Sequence, residues 1–557
     1  MDHDYDVLII GSGFGGSVAA MRLTEKGYRV GVLEAGKRWS AETLPKTSWN
    51  TRRFFWFPRL GMRGIQRISL LKDVMILSGS GVGGGSLVWA NVSYRPHDAF
   101  YSDPQWGGIT DWESELAPFY DQAERMLGVE DNPTETNSDR VIKEVAAHFG
   151  VEDTFQPTPV AVYFGEKKVE APDPYFGGEG PTRTGCRECG GCMVGCRFNA
   201  KNTLDRNYLY MAERHGADVH PLNQVTDVAP LDGGGYVVST ERPGAWLNKK
   251  HKTFTAGQVV FAAGALGTSK LLLRLKESRL PGLSERLGFQ FRTNSEAILG
   301  ARARDRSIDY SEGVAITSSI HPEPHTHIEP VRYPVGSNSM GLLTTILVDG
   351  GGKLPRWMRF IGAALARPVQ LLRALDLRHW SERTVILLVM QSLDNSLRLF
   401  RKNGRFSTAA ATGKPVPTYL PIANEAVRAA AAAMGGDPGS SLNEALLDIP
   451  LTAHILGGAP VGATSAEGVV DPYHRVFGYE GLHVIDGAAI GANLGVNPSL
   501  SITAMAERAT SFWPNRGDDD LRPPVGSTYE RLDPVLPNSP IVPDSAGGAI
   551  RWGASAT

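Results

Sequence analysis

Asp6-Val-Leu-Ile-Ile10, Gly11-Ser-Gly-Phe-Gly-Gly16, the stretch 17–26 and Tyr28-Arg-Val-Gly-Val-Leu-Glu34 follow one another almost without interruption. An apolar run of strand length, a glycine turn, a helical stretch and a second apolar run read as a βαβ unit, the building block of a parallel sheet. Gly11, Gly13, Phe14 and Gly16 make the turn. At this spacing the first glycine permits the tight turn, the second lets the backbone approach a pyrophosphate, and the third lets the helix lie against the strand. Glu34 ends the second strand, where a carboxylate accepts hydrogen bonds from adenosine ribose hydroxyls and disfavours a 2′-phosphate. The fingerprint predicts a dinucleotide site without separating FAD from NAD.

Outward from this unit the same style returns twice. Gln258-Val-Val-Phe-Ala-Ala-Gly264 is another apolar strand feeding a glycine turn, with a helix expected over 269–274, and Leu482-His-Val-Ile-Asp-Gly487 precedes a helical run at 501–512. A second glycine run occupies 79–85, and Asp232-Gly-Gly-Gly235 lies between two strand-like runs, a hairpin signal. From 298 to 450 the character changes to longer strands such as Arg383-Thr-Val-Ile-Leu-Leu-Val-Met390, with an Asn403-Gly404 turn and a helix over 425–434. The fold predicted is α/β: a Rossmann-like domain of residues 1–45, 75–100, 200–297 and 451–513, interleaved with a substrate and lid domain of 46–74, 101–199 and 298–450 built on an antiparallel sheet with helices. The proline-rich 514–557 is expected to be an extended, surface-laid tail. Residues 46–72, with Arg52, Arg53, Phe54, Phe55, Trp56, Arg63 and Arg67, break the pattern and are not expected to form a regular amphipathic strand.

A chain of 557 residues accommodates two or more domains. Lys plus Arg number 57 and Asp plus Glu 59, so nothing global marks a nucleic-acid binder. Apolar runs break before the roughly 18 residues of a membrane span, and the strand at 7–10 starts too near Met1 to leave room for a signal peptide. The expectation is a soluble, cytoplasmic chain.

All four cysteines, Cys186, Cys189, Cys192 and Cys196, fall in one short segment. A disulfide framework would spread its cysteines to close long loops. The spacing C-x2-C-x2-C-x3-C is that of bacterial ferredoxins, with Arg197 in place of the following proline. Gly185, Gly190, Gly191 and Gly195 would let the backbone wrap an inorganic core. A 4Fe-4S cluster is the first reading, structural zinc the second because its usual pattern is two well-separated pairs, and a metal-free thiol loop the third.

Glu34-Ala-Gly36, Gly81-Val-Gly-Gly-Gly-Ser-Leu-Val88, Ala262-Ala-Gly-Ala-Leu-Gly-Thr268 and Val484-Ile-Asp-Gly487 followed by Asn497-Pro498 carry a resemblance over nearly the whole chain. The chain resembles the glucose–methanol–choline (GMC) flavoprotein oxidoreductases, and within them the actinobacterial cholesterol-oxidase-like members with non-covalent FAD. The resemblance implies FAD, with Gly83, Gly84, Gly85, Ser86 and Asn91 along the flavin, Val225 near the adenine, Ala263 and Gly264 in the second nucleotide turn, and Asp486 and Gly487 near the pyrophosphate and ribityl chain. Val88 stands where some relatives attach FAD through a histidine, which implies a cofactor held without a covalent bond. His454, in Leu451-Thr-Ala-His-Ile-Leu-Gly-Gly458, and Asn497 match the family's catalytic pair. His454 would take the alcohol proton or hydrogen-bond the alcohol, and Asn497 would fix the substrate oxygen beside the flavin. Glu382 resembles the carboxylate of the Δ5 to Δ4 isomerisation and is expected in an apolar pocket that raises its pKa.

The implied activity is oxidation of a secondary alcohol on a bulky apolar molecule by hydride transfer to flavin N5, a 3β-hydroxysteroid such as cholesterol being the first candidate and oxygen or an electron carrier the acceptor. The cysteines keep two alternatives open. One is a dehydrogenase for another alcohol that passes electrons through an iron-sulfur cluster; the other is a flavin electron-transfer or redox-sensing protein with no alcohol substrate. Finally, 353–380 interleaves Lys353, Arg356, Arg359, Arg367, Arg373 and Arg378 with Trp357, Phe360, Ile361, Leu365, Leu371, Leu372 and Trp380. Basic amphipathic segments of this kind lie on membrane interfaces, which suggests transient contact with the inner membrane surface. The plainer reading is a lid packed on its own protein.

Overall fold

In the computed structural model, which describes residues 3–245, 249–411 and 415–552, the strand Tyr5–Ile10 buries Val7, Leu8, Ile9 and Ile10. Burial on both faces is what a continuous apolar run demands, and an inner strand of a parallel sheet supplies it. This strand lies between Val30–Glu34 and Lys252–Phe261 and is parallel to both, Val7 facing Val30 on one side and Gln258 on the other. Asp218–Pro221 extends the sheet beyond Val30–Glu34. The long strand Lys252–Phe261 divides its pairing, antiparallel to Tyr236–Glu241 in its first half and parallel to Leu482–Val484 in its second. Gln224–Pro230 completes the hairpin expected around Asp232. Gly11 makes the first turn possible: its φ is +109°, and a Cβ there would meet the Ala262 carbonyl oxygen at 2.2 Å. Helix Phe14–Glu25 then packs against helix Ser499–Ser511, joined to it by a fully buried Arg22–Glu507 ion pair at 2.8 Å.

The second sheet has seven antiparallel strands in the order Thr344–Ile346, Gly436–Ser441, Ala297–Ala303, Thr384–Gln391, Thr326–Val331, Ser318–Glu323 and Gln156–Pro157. Side chains alternate across it with period two. Leu299, Ala301, Ile328, Val385, Leu387 and Val389 join a core with helices Asn137–Phe149 and Pro421–Ala433. Ile298, Val331, Ile386 and Leu388 face the other way, into a groove lined by both sheets. Register places Glu329 opposite Leu388 and His327 opposite Met390. A polar row therefore runs along the groove-side face of an otherwise apolar sheet.

Two expectations need correction. Within 46–72, Gln66–Leu70 is a strand, paired antiparallel with Met75–Gly79. Arg67 is accommodated because its guanidinium lies over the Trp56 ring, 5.3 Å from the centroid, so tertiary packing overrides the charge pattern. The proline-rich tail is without helix or strand over 514–552, yet it does more than lie on the surface. Ile541, Val542 and Trp552 enter the core around the first sheet, and Trp552 Nε1 donates to Glu507 at 3.1 Å. Residues 553–557 of that expected tail lie outside the described residues.

Candidate active site

A cavity of about 570 Å³ runs along the groove. Gly11, Gly13, Phe14, Glu34, Gly84, Gly85, Val225, Ala263, Gly264, Asp486, Gly487, His454 and Asn497 all line it. Two helices open onto it, Phe14–Glu25 from Gly13 and Ala265–Lys276 from Gly264, and neither has a side-chain cap. A Cβ on Gly13 or Gly264 would meet nothing within 4 Å. The helices thus leave free N–H groups and positive dipole ends beside open space, the arrangement that holds a pyrophosphate. Arg67, Lys270 and Arg274 add cationic groups to the wall; burial, then the charge of Arg67, pushes the Lys270 ammonium down to about 8.

The two acids of the nucleotide site are already supported by protein donors. Glu34 accepts from Ser12 N at 3.3 Å, Ser12 Oγ at 2.7 Å, Gly36 N at 2.6 Å and Gly81 N at 3.3 Å. Asp486 accepts from Gly264 N at 2.8 Å, Thr268 Oγ1 at 2.6 Å and Ala488 N at 2.8 Å, while burial lifts its carboxyl to about 6. With uncapped helix starts, anchored acids and Val225 on one wall, the residues present fit FAD.

Gly16, Gly83, Ser86 and Asn91 are not on the wall. Gly16 holds helix against strand, since a Cβ there would lie 2.0 Å from Gly11 O. Gly83 N donates to Ser12 Oγ at 3.1 Å, and Ser86 Oγ donates to Gly83 O at 2.7 Å while accepting from Leu204 N at 3.1 Å. Both therefore fasten the second glycine turn from behind. Asn91 is buried and turned toward Cys192.

His454 and Asn497 meet on the wall, His454 Nε2 lying 3.5 Å from Asn497 Nδ2. Behind each stands a carboxyl group that spacing did not reveal. Glu296, fully buried, takes the hydrogen bond from His454 Nδ1. Burial lowers the His454 pKa, but the charges of Glu296 and then Glu329 outweigh it, so the imidazole is held above its ordinary value. Glu329 accepts from Asn497 Nδ2 at 3.2 Å and faces His327 Nε2 at 3.1 Å; burial lifts its carboxyl to about 8. Asn497 lines the groove, and its Oδ1 is buried with no hydrogen-bond partner among the described residues, an acceptor left for a substrate or cofactor donor.

Glu382 departs from expectation. It does not line the groove, its side chain is partly exposed, and it bonds His379 Nδ1 at 3.0 Å and Ser381 Oγ at 2.6 Å. Burial raises its pKa, but those hydrogen bonds prevail and hold it below the usual carboxylate value. It follows Trp380 and Ser381 in the short helix Trp380–Arg383, which turns Trp380, but not Glu382, into the groove.

The four cysteines are free thiols, three of them half-buried. Burial and then the neighbouring Cys192 raise the pKa of Cys186 and of Cys189, the latter to about 11. Of the four glycines Gly191 lies against the thiols, its Cβ position 3.2 Å from Cys189 Sγ, while the other three face neighbouring segments: a Cβ on Gly185 would strike Glu166 O at 2.0 Å, on Gly190 Ser311 O at 2.4 Å and on Gly195 Leu44 Cδ2 at 2.5 Å. These three let neighbouring chain segments close in. The loop backs onto the groove: buried Lys201 Nζ donates to Cys192 O at 2.9 Å, Trp89 O at 2.6 Å and Leu87 O at 3.4 Å.

Comparison with known proteins agrees with this architecture. Family models described as GMC oxidoreductase match residues 5–161 with 182–280, and 380–506. A cholesterol oxidase of Mycobacterium tuberculosis (strain ATCC 25618 / H37Rv) is 56% identical over 99% of this chain and 98% of its own length. A cholesterol oxidase of Acinetobacter baumannii is 44% identical, over 92% of this chain and 95% of its own. Among solved structures, pyridoxine 4-oxidase from Mesorbium loti aligns with a TM-score of 0.55 at 15% identity, covering 91% of this chain and 98% of that one. With the dinucleotide groove, the uncapped helix starts and matches over most of its length, this chain belongs to the GMC oxidoreductase family.

Proposed function

We propose that this chain is an FAD-dependent oxidase of a 3β-hydroxysteroid such as cholesterol. The observation that carries the reading is the His454–Glu296 dyad beside Asn497, on a groove whose wall also carries the apolar side chains Ile316, Val331, Tyr333, Ile386 and Leu388. Two cholesterol oxidases among the relatives favour a steroid over other bulky alcohols. FAD bound in the groove supplies the two-electron acceptor. With Nδ1–H held by Glu296, His454 presents the Nε2 lone pair, takes the hydroxyl proton, and becomes an imidazolium beside a buried carboxylate. Asn497, held at Nδ2 by Glu329, fixes the oxygen that changes from alcohol to ketone. Glu382 stands off the groove, and Glu329, bonded to Asn497, is buried behind its wall, so we assign a coupled Δ5 to Δ4 isomerisation to neither.

The test is addition of cholesterol to anaerobic, FAD-loaded protein, followed by air, with iron and acid-labile sulfide measured per FAD. Bleaching of the flavin and its return with hydrogen peroxide support the oxidase. Four iron and four sulfide with slow return in air would instead favour a dehydrogenase that passes electrons to a carrier. The contact of Lys201 with both Cys192 and the segment behind the groove is what keeps that second reading. No bleaching by any alcohol would reject both and favour the electron-transfer alternative.

Glu296→Gln removes the charge that holds the His454 pKa up. The acid limb of the kcat/KM profile is then expected about 1–3 pH units lower; an unmoved limb would show that His454 is not the titrating base.

Delivery of an apolar alcohol is the second part of the reading. Among the described residues no helix is long and apolar enough to cross a membrane. Helices Arg356–Ala366 and Pro368–Leu375, however, expose Trp357, Met358, Ile361, Leu365, Val369 and Leu372, and the second helix packs on Thr344–Ile346, whose Thr344 lines the groove. Arg356 turns inward instead, donating to Val348 O at 3.0 Å and Thr418 O at 2.8 Å. We take the exposed face as a contact with the inner surface of the cytoplasmic membrane. Trp357→Ser with Leu365→Ser is expected to reduce binding to anionic vesicles about tenfold or more, with turnover of detergent-dispersed substrate unchanged. Equal vesicle binding by parent and variant would remove the membrane role.

A further inference from the structure

Behind Asn497 lies a cluster that the reaction does not use. His321 and His327 stand on neighbouring antiparallel strands, Ser318–Glu323 and Thr326–Val331, whose register shifts between Ile320 and Glu323. An irregularity of this kind re-aims a side chain, and here the two rings meet with centroids 4.6 Å apart. His97, preceding the short helix Asp98–Tyr101, brings a third ring to 5.7 Å from His321. One ring nitrogen from each of the three lies within 4.8 Å of the other two.

The chemistry of these nitrogens is that of ligands. Burial and then mutual repulsion lower all three pKa values, His321 to about 4 and His327, where the repulsion comes from His454, to about 3. A neutral imidazole offers a lone pair to a metal ion. His97 Nε2 and His327 Nδ1 are buried with no hydrogen-bond partner among the described residues, and orphaned polar atoms of this kind are costly unless something satisfies them. The remaining contacts are His321 Nε2 with Gln156 Nε2 at 3.2 Å and His327 Nε2 with Glu329 Oε1 at 3.1 Å. The latter leaves Nδ1 of His327 turned to the cluster with a carboxyl group behind the ring. A carboxylate behind a histidine is the support that metal-ligating imidazoles recurrently have.

We propose that His97, His321 and His327 bind one divalent transition-metal ion of the zinc type, with Glu329 orienting His327. Three imidazoles suit such an ion and leave it a fourth position for water. None of the three lines the groove, so the ion does not touch the reacting atoms; it is a positioning element. It would act on Asn497 from two sides. Glu329 holds Asn497 Nδ2 at 3.2 Å, and His97 packs on the same loop, where a Cβ on Gly495 would meet His97 Cδ2 at 3.0 Å. The proposal stands whether or not the substrate is a steroid.

The experiment uses full-length, FAD-loaded protein stripped with a chelator, desalted and titrated with Co2+ by equilibrium dialysis with absorption spectra. The expected result is one Co2+ per chain with ligand-field bands and no thiolate-to-cobalt charge transfer, displaced by Zn2+. An ion at the cysteines announces itself by that charge transfer and is counted separately. His97→Gln and His321→Gln should each weaken the nitrogen site at least about tenfold, and Glu329→Gln roughly 10–100-fold. Absence of Co2+ uptake, uptake solely with thiolate charge transfer, or unchanged affinity in both histidine variants would overturn the site. The parent spectrum alone separates nitrogen from sulfur ligands, so the outcome does not depend on the folding of a variant.

Discussion

His454→Ala is expected to oxidise a 3β-hydroxysteroid about 10²- to 10⁴-fold more slowly than the parent chain while keeping its FAD. The size follows from what the substitution removes. A lone histidine in a groove would contribute a hydrogen bond; this one has Nδ1 fixed by a fully buried Glu296 and Nε2 directed at Asn497. The ring is thus oriented, and its protonated form is stabilised where charge develops. FAD should remain because its proposed anchors are elsewhere: the uncapped helix starts at Gly13 and Gly264 and the Asp486 turn. Anaerobic flavin bleaching on a stopped-flow instrument isolates the step, and restoration of part of the rate by added imidazole would identify the lost group as a base. A variant that bleaches within a few-fold of the parent would take proton transfer away from His454.

The parts of this arrangement that were legible in sequence are those with strict local requirements. Gly11, Gly13 and Gly16 carry the turn because backbone must approach backbone there, and a residue type records that demand directly. The strand at Val7, Leu8, Ile9 and Ile10 was legible because double-sided burial leaves no polar position. Glu296, His327 and Glu329 were not. In Thr326-His-Ile-Glu-Pro-Val, polar and apolar residues alternate, the pattern of a strand with one face in water. The face is instead covered by the Asn497 segment, and only register and tertiary pairing reveal that. The period-two alternation was the available signal; its polar side was the groove side. Glu382 failed for the opposite reason. A carboxylate next to a long apolar strand resembles a pocket acid, but a helical turn between Trp380 and Thr384 moves it off the wall. Around the ferredoxin spacing, Gly185 and Gly190 serve packing against Glu166 and Ser311, while Gly191 lies against Cys189 Sγ.

Glu329 makes the protein less stable as pH rises, and Glu329→Gln should abolish that part of the dependence. Burial raises its carboxyl from 4.5 to about 8 in the folded chain. Between those values the folded state holds a proton that the unfolded state has released, so the unfolded chain gains on the folded one with every increment of pH in the window. A shift of this size corresponds to on the order of 5 kcal/mol across the whole interval. His454 works in the same direction: its raised pKa gives stability that is present below its ordinary 6.5 and lost as pH climbs through the folded value. Other carboxylates contribute the opposite slope at acid pH, so the readout is the difference between parent and Glu329→Gln in unfolding midpoints from pH 5 to 9, at one fixed FAD concentration. That difference should move in favour of the variant as pH rises and level off above about 8, the folded value. Parallel curves would mean that Glu329 is already ionised at neutral pH. Its protonated form matters to the site because it supports Asn497 at 3.2 Å and leaves Glu296 the larger pull on the His454 proton. Once Glu329 ionises, the imidazolium is stabilised by two carboxylates, and His454 surrenders its proton less readily after each turnover.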